Sequence, residues 1–244
     1  MLKNIAESIC AQVNNQILGR EALTELAVTA FFAGGHIMLC GPTGLGKSRW
    51  AKAFTKAAGG GCRQIRLTSD TNHDEIFNRS ADFVIAISEE PLTLPEALKD
   101  RFMMKLHANY PGVAAEKLIL QMHHLNETPS PAHTPAFLPE ALALARQEVQ
   151  AVAVEDSIFN YIISIVETTR RINAVQTGVS IRGGIALLNA AKAHAAIKGR
   201  DHVIYEDVKY LAQPVLNHRI NLRPDAIKEG LHPDRILESI VTGR

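Results

Sequence analysis

Residues 41–48 read Gly41-Pro42-Thr43-Gly44-Leu45-Gly46-Lys47-Ser48 and fill every fixed position of the pattern G-x-x-x-x-G-K-[ST]. A short apolar run from His36 to Cys40 precedes them and is typical of a buried strand, and Arg49 to Ala58 is rich in helix formers without proline. In the order strand, loop, helix, the glycines let backbone N–H groups turn inward while the positive end of the helix faces the same point. The sequence therefore predicts a site for the phosphates of a nucleotide.

Two side chains at the end of this loop have separate predicted roles. Lys47 is expected to reach the β- and γ-phosphates, which makes it a candidate catalytic residue, and the Ser48 hydroxyl is expected to ligate Mg²⁺. The predicted cofactors are therefore ATP and Mg²⁺. The predicted nucleotide-binding residues of the loop and the start of the helix are Gly41, Pro42, Thr43, Gly44, Leu45, Gly46, Lys47, Ser48 and Arg49.

The composition predicts an ordinary soluble protein of one or two domains. The 244 residues are 46% hydrophobic, and 26 basic against 25 acidic side chains give a net charge of +1, which argues against a general electrostatic grip on nucleic acid. Three cysteines without C-x-x-C spacing argue against a disulfide framework or a zinc site and favour a reducing compartment, the cytoplasm. No apolar run approaches the ~18 residues of a membrane helix, and the first residues are too polar for a signal peptide.

The first half of the chain alternates helices and strands. Amphipathic spacing predicts helices over Leu2–Val13 and Glu21–Phe32. The predicted strands after the loop helix are Gln64–Thr68, the continuously apolar Phe83–Ile87, and Phe102–His107. Such alternation around a phosphate loop indicates an α/β fold, in which helices cover both faces of a parallel sheet.

Helical periodicity dominates beyond Glu116, and no further strand is predicted there. Three prolines rule out a regular helix over residues 126–135, which are predicted to be a linker between an α/β domain over 1–125 and a smaller all-helical domain over 136–244. Two apolar stripes are expected in the second domain, one on a helix that ends at Gly199. Their members are Ile158, Tyr161, Ile162, Ile165, Val166 and Thr169, and Ile185, Leu188, Ala191 and Ala195.

Several further segments match one family in order along the chain, and together with the loop they resemble the MoxR family of AAA+ ATPases over nearly the whole length. Ile17-Leu18-Gly19-Arg20-Glu21 resembles the turn that lies against the adenine, so Ile17 and Leu18 join the predicted nucleotide-binding residues. The segment from Leu94 to Phe102 resembles the one that carries the arginine finger, and Ser180-Ile181-Arg182-Gly183-Gly184 resembles the sensor-2 motif. The resemblance implies an AAA+ P-loop fold with a helical lid.

The resemblance assigns roles to two arginines. A guanidinium is permanently charged and forks onto phosphate oxygens. By family, Arg182 would touch the γ-phosphate from its own subunit and Arg101 would reach the nucleotide of the neighbouring subunit, so both are candidate catalytic residues. A finger in trans implies a homo-oligomeric ring, commonly a hexamer in relatives. The family also implies chaperone-like maturation of a partner, often one with a von Willebrand factor A domain.

One expected element is missing. An ATPase of this kind needs a strand that ends in Asp-Glu, one acid for Mg²⁺ and one for the attacking water. In the family this strand lies between the segments matched by Asp74–Asn78 and Phe83–Ile87, where only four residues are present. A parallel crossover needs a dozen or more residues, so no strand with its own helices fits there.

Three explanations are open. The first, which we favour, is that the natural polypeptide has residues here, and near Glu90–Leu94, that this sequence omits. We favour it because deleting a central strand should leave a slot in the sheet, with unpaired backbone groups that cost ~1–3 kcal/mol each. The second is a true deletion that gives a nucleotide binder without hydrolysis. The third is that Phe83–Ile87 is itself the Walker B strand and Glu89-Glu90 its acids, although Ser88 and Glu89 then stand where Asp and Glu should.

Other polar clusters are expected to be structural. Sensor 1 has no clear candidate among Ser88, Glu89 and Glu90. The pairs Glu155-Asp156 and Glu206-Asp207 are expected in the first turns of helices, where acids favour the positive end of the dipole. The histidines His123, His124 and His133 are expected to be solvated, because adjacent histidines point apart on a helix and no carboxylate or thiol completes a metal site.

The sequence thus predicts an ATPase of MoxR type that remodels a partner protein. The alternative function, which is not enzymatic, is that of a nucleotide-dependent scaffold that binds ATP without hydrolysing it. A small-molecule kinase is disfavoured, because the long helical second domain does not resemble an acceptor-binding lid.

Overall fold

The computed structural model describes residues 1–59, 61–68, 71, 76–77, 83–89, 94–125, 135–137 and 139–243. The chain forms two compact units, one of Met1–Thr93 with Leu106–Arg146 and one of Leu94–Lys105 with Gln147–Arg244. The predicted domain boundaries stay a prediction, and residues 126–134 of the predicted linker lie outside the described residues. None of the described helices is long and apolar enough to cross a membrane.

The secondary structure alternates in the first half of the chain and is mainly helical in the second. The strands are β1 Ile37–Cys40, β2 Cys62–Arg66, β3 Phe83–Ile87, β4 Met104–His107, β5 Val175–Thr177 and β6 Asn221–Leu222. The helices are α1 Leu2–Asn14, α2 Glu21–Phe32, α3 Lys47–Ala57, α4 Glu96–Lys99, α5 Val113–His124, α6 Pro139–Ala151, α7 Asp156–Arg171, α8 Ile181–Ile197, α9 Tyr205–Leu216, α10 Pro224–Lys228 and α11 Pro233–Thr242. A 3₁₀ turn, Asn217–Arg219, follows α9.

The main sheet has the strand order β2-β3-β1-β4, and β3 is parallel to both of its neighbours. Every residue of β1 and β3 is buried, which is why both strands read as continuous apolar runs. The α/β fold predicted from the alternation is therefore confirmed. The predicted strands after the loop are also present, although β2 and β4 differ by two residues from the predicted bounds.

The expected slot in the sheet is absent. β2 pairs directly with β3, with Cys62 opposite Phe83 and Arg66 opposite Ile87, and Leu67 N donates to Ile87 O at 2.8 Å. The expectation that a missing strand leaves two unpaired rows of backbone groups is wrong, because the flanking strands pair with each other. Sheet closure therefore does not discriminate between a true deletion and an omitted segment.

An aromatic cluster in the first unit holds α2 and α3 together against β3. The Phe31 ring meets Phe32, Phe54 and Phe83 edge-on, with centroids 5.1, 6.2 and 5.4 Å away. Trp50 on α3 is buried, and its Nε1 donates to Thr24 Oγ1 on α2 at 3.1 Å. Since α3 starts at Lys47, this packing fixes the helix whose first turn follows the glycine-rich loop.

The second unit confirms one predicted apolar stripe and half of the other. On α7, five of the predicted six residues are buried, with Tyr161 only half-buried. On α8, Ala191 and Ala195 are buried as predicted, but Leu188 is only half-buried and Ile185 is 54% exposed. The buried face also includes residues outside the predicted stripe: Ala186, Leu187, Ala190 and Ala193. Alanine spacing is compatible with several faces, so the sequence pattern could not fix the rotation of this helix.

Two short strands also correct the prediction that no strand follows Glu116. β5 and β6 pair antiparallel, with Val175 opposite Leu222. They have three and two residues, too few for periodicity to show. Of the two acid pairs, Glu206 and Asp207 lie in the first turn of α9 as predicted, whereas Asp156 begins α7 and Glu155 is its N-cap residue.

Asp207 is the centre of a polar network in the second unit. Its carboxylate is 1% exposed and accepts hydrogen bonds from Arg200 Nη1 at 2.7 Å, from the backbone N–H of Ile204 at 3.0 Å, and from His194 Nδ1 at 2.6 Å. Burial opposes ionisation of this group, but the bonds from His194 and Arg200 outweigh it and lower the pKa of Asp207 to about 2. The charged carboxylate is thus a structural centre that joins α8, its C-terminal loop and α9.

Replacement of Asp207 by Asn should destabilise the protein by about 3 kcal/mol, because the buried His194 and the partly buried Arg200 lose their charged acceptor. Urea unfolding at neutral pH measures the loss. Because the folded pKa lies below the ordinary 3.8, the contribution of Asp207 is fully present above pH 3.8 and disappears as the pH falls toward 2. Asp201→Asn, at a side chain 99% exposed, is the matched control and should unfold as the wild type does.

Candidate functional site

The glycine-rich loop leaves the carboxyl end of β1 in a conformation that only glycine adopts easily. Gly41, Gly44 and Gly46 have φ of 144°, 85° and 72°. A Cβ on Gly41 would stand 2.7 Å from the carbonyl oxygen of Ala108, the residue after β4, so the loop passes directly against the next strand end. A Cβ on Gly44 or Gly46 would meet nothing within 4 Å. The loop is therefore packed on one side and open on the other, as a phosphate cradle requires.

Lys47 is curled back over this loop. Its side chain is 7% exposed, and Nζ donates to the carbonyl oxygens of Gly41 at 2.6 Å and Pro42 at 2.7 Å. These two bonds hold an ammonium charge beside the loop and fix the loop's curvature. An anion in the cradle would offer the same ammonium a stronger, charge-assisted partner.

Arg20 is a loop anchor that the sequence analysis quoted without giving it a role. It is 8% exposed and donates from Nη2 to the carbonyl oxygen of Leu45 at 3.0 Å and from Nη1 to that of Asn109. Burial lowers the pKa of Arg20 below its ordinary value. Arg20 thus ties the crest of the loop to the segment that follows β4. Its position within the segment that resembles the adenine turn was the available signal.

A cavity of about 810 Å³ opens on the loop within the first unit. This size suits a nucleotide, since ligand pockets span ~300–1,000 Å³. Predicted nucleotide-binding residues form one side of it: Ile17, Leu18, Thr43, Gly44, Leu45, Gly46 and Arg49. Residues after β4 and on α5 form another side that the sequence analysis did not anticipate: Tyr110, Pro111, Glu116, Ile119, Leu120, Met122 and His123.

The lining suits the two ends of a nucleotide. The apolar side chains of Ile17, Leu18 and Ile119 supply surface for a flat base, and the glycine-rich loop supplies backbone N–H groups for phosphates. Ser48, the second residue of α3, is exposed and offers one hydroxyl oxygen. A single protein oxygen fits Mg²⁺, which takes most ligands from substrate phosphates and water. Among the described residues, no three His, Cys, Asp or Glu side chains are grouped so that they could hold a metal ion.

The end of β3 does not present a clear pair of acids. Ser88 is 2% exposed, and its backbone N–H donates to Leu39 O at 2.9 Å, so it continues the pairing with the loop strand β1. The Ser88 hydroxyl donates to the carbonyl oxygen of Glu89 at 3.1 Å. The Glu89 side chain is exposed, and Glu90 lies outside the described residues. The described residues thus leave the roles of Walker B and sensor 1 unassigned.

The two candidate arginines belong to the second unit, where one carboxylate connects them. Asp100, which directly precedes Arg101, lies 3.5 Å from Arg182 Nη1 through its Oδ2. Ser180 caps α8, accepting from Gly183 N at 3.4 Å, and so sets Arg182 in the first turn. Buried Arg219 approaches the same carboxylate at 3.4 Å through its Nε. Neither Asp100 nor Arg219 was singled out from the sequence: Asp100 lies within the finger-like segment but was given no role there, and Arg219 lies outside any recognisable motif.

The fold and loop define a P-loop ATPase of the AAA+ class with a helical lid, and the comparisons with known proteins agree. Residues 167–240 match the AAA lid domain model. A crystal structure of a candidate ATPase from Cytophaga hutchinsonii superposes with a TM-score of 0.85 at 22% identity, covering 99% of this chain and 94% of that one.

Sequence relatives define the family. The YeaC protein of Bacillus subtilis is 30% identical, over 94% of this chain and 91% of its own length. The chaperone MoxR1 of Mycobacterium tuberculosis is 23% identical, over 94% and 79%, and the MoxR protein of Methylorubrum extorquens is 22% identical, over 87% and 86%. The chain belongs to the MoxR family of AAA+ ATPases.

The relatives are longer than this chain inside the aligned region. The alignment to YeaC runs over 294 positions and that to MoxR1 over 302, whereas the whole chain has 244 residues. At least 50 positions of the YeaC alignment therefore have no counterpart here. This agrees with an internal segment that is either omitted from the sequence or truly deleted.

Replacing Arg20 by Gln should weaken binding of a fluorescent ATP analogue about tenfold, because the crest of the loop loses a buried anchor worth ~1.4 kcal/mol. Arg20→Lys keeps the charge but cannot donate to both carbonyl oxygens at once. Its affinity for the analogue should therefore lie between those of the wild type and Arg20→Gln. Lys52→Gln, an exposed position on α3, is the control. Wild-type affinity in a folded Arg20→Gln protein would contradict the anchoring role.

Proposed function

We propose that this protein binds ATP with Mg²⁺ in the loop cavity of the first unit and hydrolyses it to remodel a partner protein. One observation carries the proposal: a glycine cradle, closed on one side by Ala108 and Lys47, opens on the other into a cavity of nucleotide size. Membership of the MoxR family supports both the nucleotide and the chaperone-like outcome.

The proposed roles of the site residues follow the chemistry of each side chain. Lys47 neutralises the β- and γ-phosphates, and Ser48 contributes the protein ligand to Mg²⁺. Ile17 and Leu18 contact the adenine, and the loop from Gly41 to Arg49 surrounds the phosphates. Arg182 senses the γ-phosphate, and Arg101 acts as a finger toward a neighbouring subunit.

The finger role implies assembly. We propose a homo-oligomeric ring, a hexamer by family resemblance, that acts in the cytoplasm on a partner with a von Willebrand factor A domain. The balanced charge supports a protein partner over nucleic acid. Sedimentation with and without ATP tests the assembly, and ATP should shift the chain from small species to the ring.

Hydrolysis requires acids that the described residues do not supply. We propose that the natural polypeptide carries them between Asn78 and Phe83, where the family has its Walker B strand; the longer alignments to relatives leave room for such a segment. Sequencing the gene across these codons, with phosphate release measured on its product, tests hydrolysis separately from binding. An acid pair with ATP turnover supports the ATPase, whereas ATP binding without the pair and without release would support the scaffold.

Replacement of Lys47 by Ala should abolish nucleotide binding, because the phosphates lose their cation and the loop loses the bonds to Gly41 and Pro42. Titration calorimetry with Mg·ATP measures the affinity, and a loss of at least about a hundredfold is expected. Lys52→Ala, on the exposed side of the same helix, should bind as the wild type does. If the folded Lys47→Ala protein binds ATP normally, the site assignment is wrong.

A further inference from the structure

The segment that carries Arg101 is short and has little stability of its own. Helix α4 has four residues, and after it Arg101 N donates to Leu98 O at 3.2 Å and Phe102 N to Lys99 O at 3.1 Å. Such a short helix is marginal in isolation, so the orientation of Arg101 must be set by packing around it. The packing partners lie in the second unit, to which Leu94–Lys105 belongs.

Arg219 hydrogen-bonds to the backbone on both sides of Arg101, an arrangement that we call the bracket. Its Nη2 donates to the carbonyl oxygens of Asp100 at 3.0 Å and Phe102 at 2.7 Å, the residues immediately before and after Arg101. His218 gives the Phe102 carbonyl a second donor through Nε2, at 3.0 Å. A donating Nε2 requires a proton there, and burial together with the charge of Arg219 lowers the pKa of His218 to about 3, so the ring is neutral at physiological pH.

Gly183 provides the space for this arrangement. A Cβ on Gly183 would stand 3.0 Å from Arg219 Cδ and 2.4 Å from Val179 Cγ1. The same atom on Gly184 would make only ordinary contacts, 3.6 Å from Val166 Cγ2. The first glycine of the sensor-2-like motif is therefore required by the close approach of Val179 and, less severely, of Arg219, and the second glycine is not.

Asp100 connects the bracket to Arg182. Its carboxylate lies 3.4 Å from Arg219 Nε, whose side chain is 3% exposed, and 3.5 Å from Arg182 Nη1, whose side chain is 60% exposed. The buried contact is protected from water, whereas the exposed one is weak and exchangeable. A phosphate oxygen can therefore draw Arg182 away from Asp100 while Arg219 stays in place.

We infer that Arg219 is the positioning residue for Arg101, and that Asp100 is the carboxylate through which Arg182 acts on the same segment. When Arg182 leaves Asp100 to contact a phosphate, the Asp100 carboxylate keeps only Arg219 as a cationic partner. This would change how firmly the turn that carries Arg101 is held. The orientation of Arg101 in a subunit would thus depend on whether Arg182 of the same subunit contacts a phosphate. The finger and sensor roles themselves rest on the proposed function.

Hydrogen–deuterium exchange of the nucleotide-free protein tests the bracket without any assumption about ATP. Arg219→Lys, which cannot fork onto two carbonyls, should speed exchange of the peptide covering 98–103 at least about tenfold. Gly183→Ala should have the same effect, whereas Gly184→Ala and the exposed Arg223→Lys should leave that peptide unchanged. If Arg219→Lys and Gly183→Ala exchange as the wild type does, the bracket is refuted.

The Asp100 connection is tested by equilibrium binding of ATPγS and ADP. Asp100→Asn releases Arg182, so it should tighten ATPγS about threefold and leave ADP unchanged, and Arg182→Gln should remove the difference between the nucleotides. An unchanged ratio in Asp100→Asn would overturn the connection. If wild-type protein binds neither nucleotide, the proposed function fails, and the exchange experiment still decides the role of Arg219.

Discussion

The bonds from Lys47 to the carbonyl oxygens of its own loop are the interaction on which the site depends. They curl residues 41–46 over the start of α3, and the curl is possible only because Gly41 tolerates both its φ and the nearby Ala108 carbonyl. Arg20 holds the crest of the loop from the other side. The cradle is thus fixed by buried cations on backbone carbonyls, a strong kind of hydrogen bond in a setting of low polarity.

The sheet shows how tolerant the surrounding scaffold is. β2 and β3 pair along their full length, so three parallel strands meet at the loop end without the additional strand that the family pattern leads one to expect. The conformation of the glycine-rich loop depends on the positions of β1 and α3, which flank it, and not on the number of strands in the sheet. Pairing with β3 fixes β1, and the aromatic cluster fixes α3. Hydrolysis is a separate requirement, since it depends on acids and not on sheet closure.

The second unit uses cations and carboxylates in two distinct ways. Around Asp207, bonds from two side chains and one backbone N–H bury the charge completely, which suits a permanent structural centre. Around Asp100, one arginine is buried and the other is exposed. The buried contact of Asp100 with Arg219 is therefore fixed, and its exposed contact with Arg182 is exchangeable. Because Asp100 directly precedes Arg101, the Arg101 segment is linked to both contacts.

The sequence by itself determined the glycine-rich loop, the parallel sheet, the helical second half and the family. These depend on local patterns: glycines at fixed spacing, continuous apolar strands, and stripes such as that of α7. It could not determine the rotation of α8, the β5–β6 pair or the closure of β2 onto β3, because alanine-rich faces and strands of two or three residues carry little periodic signal. Arg20, Asp100 and Arg219 were decided only by tertiary structure. Arg20 and Arg219 donate to backbone carbonyl oxygens far away in the sequence, and every residue type has such an oxygen, so the sequence does not reveal the partner. Asp100 lies beside two distant arginines, which only the fold brings to it.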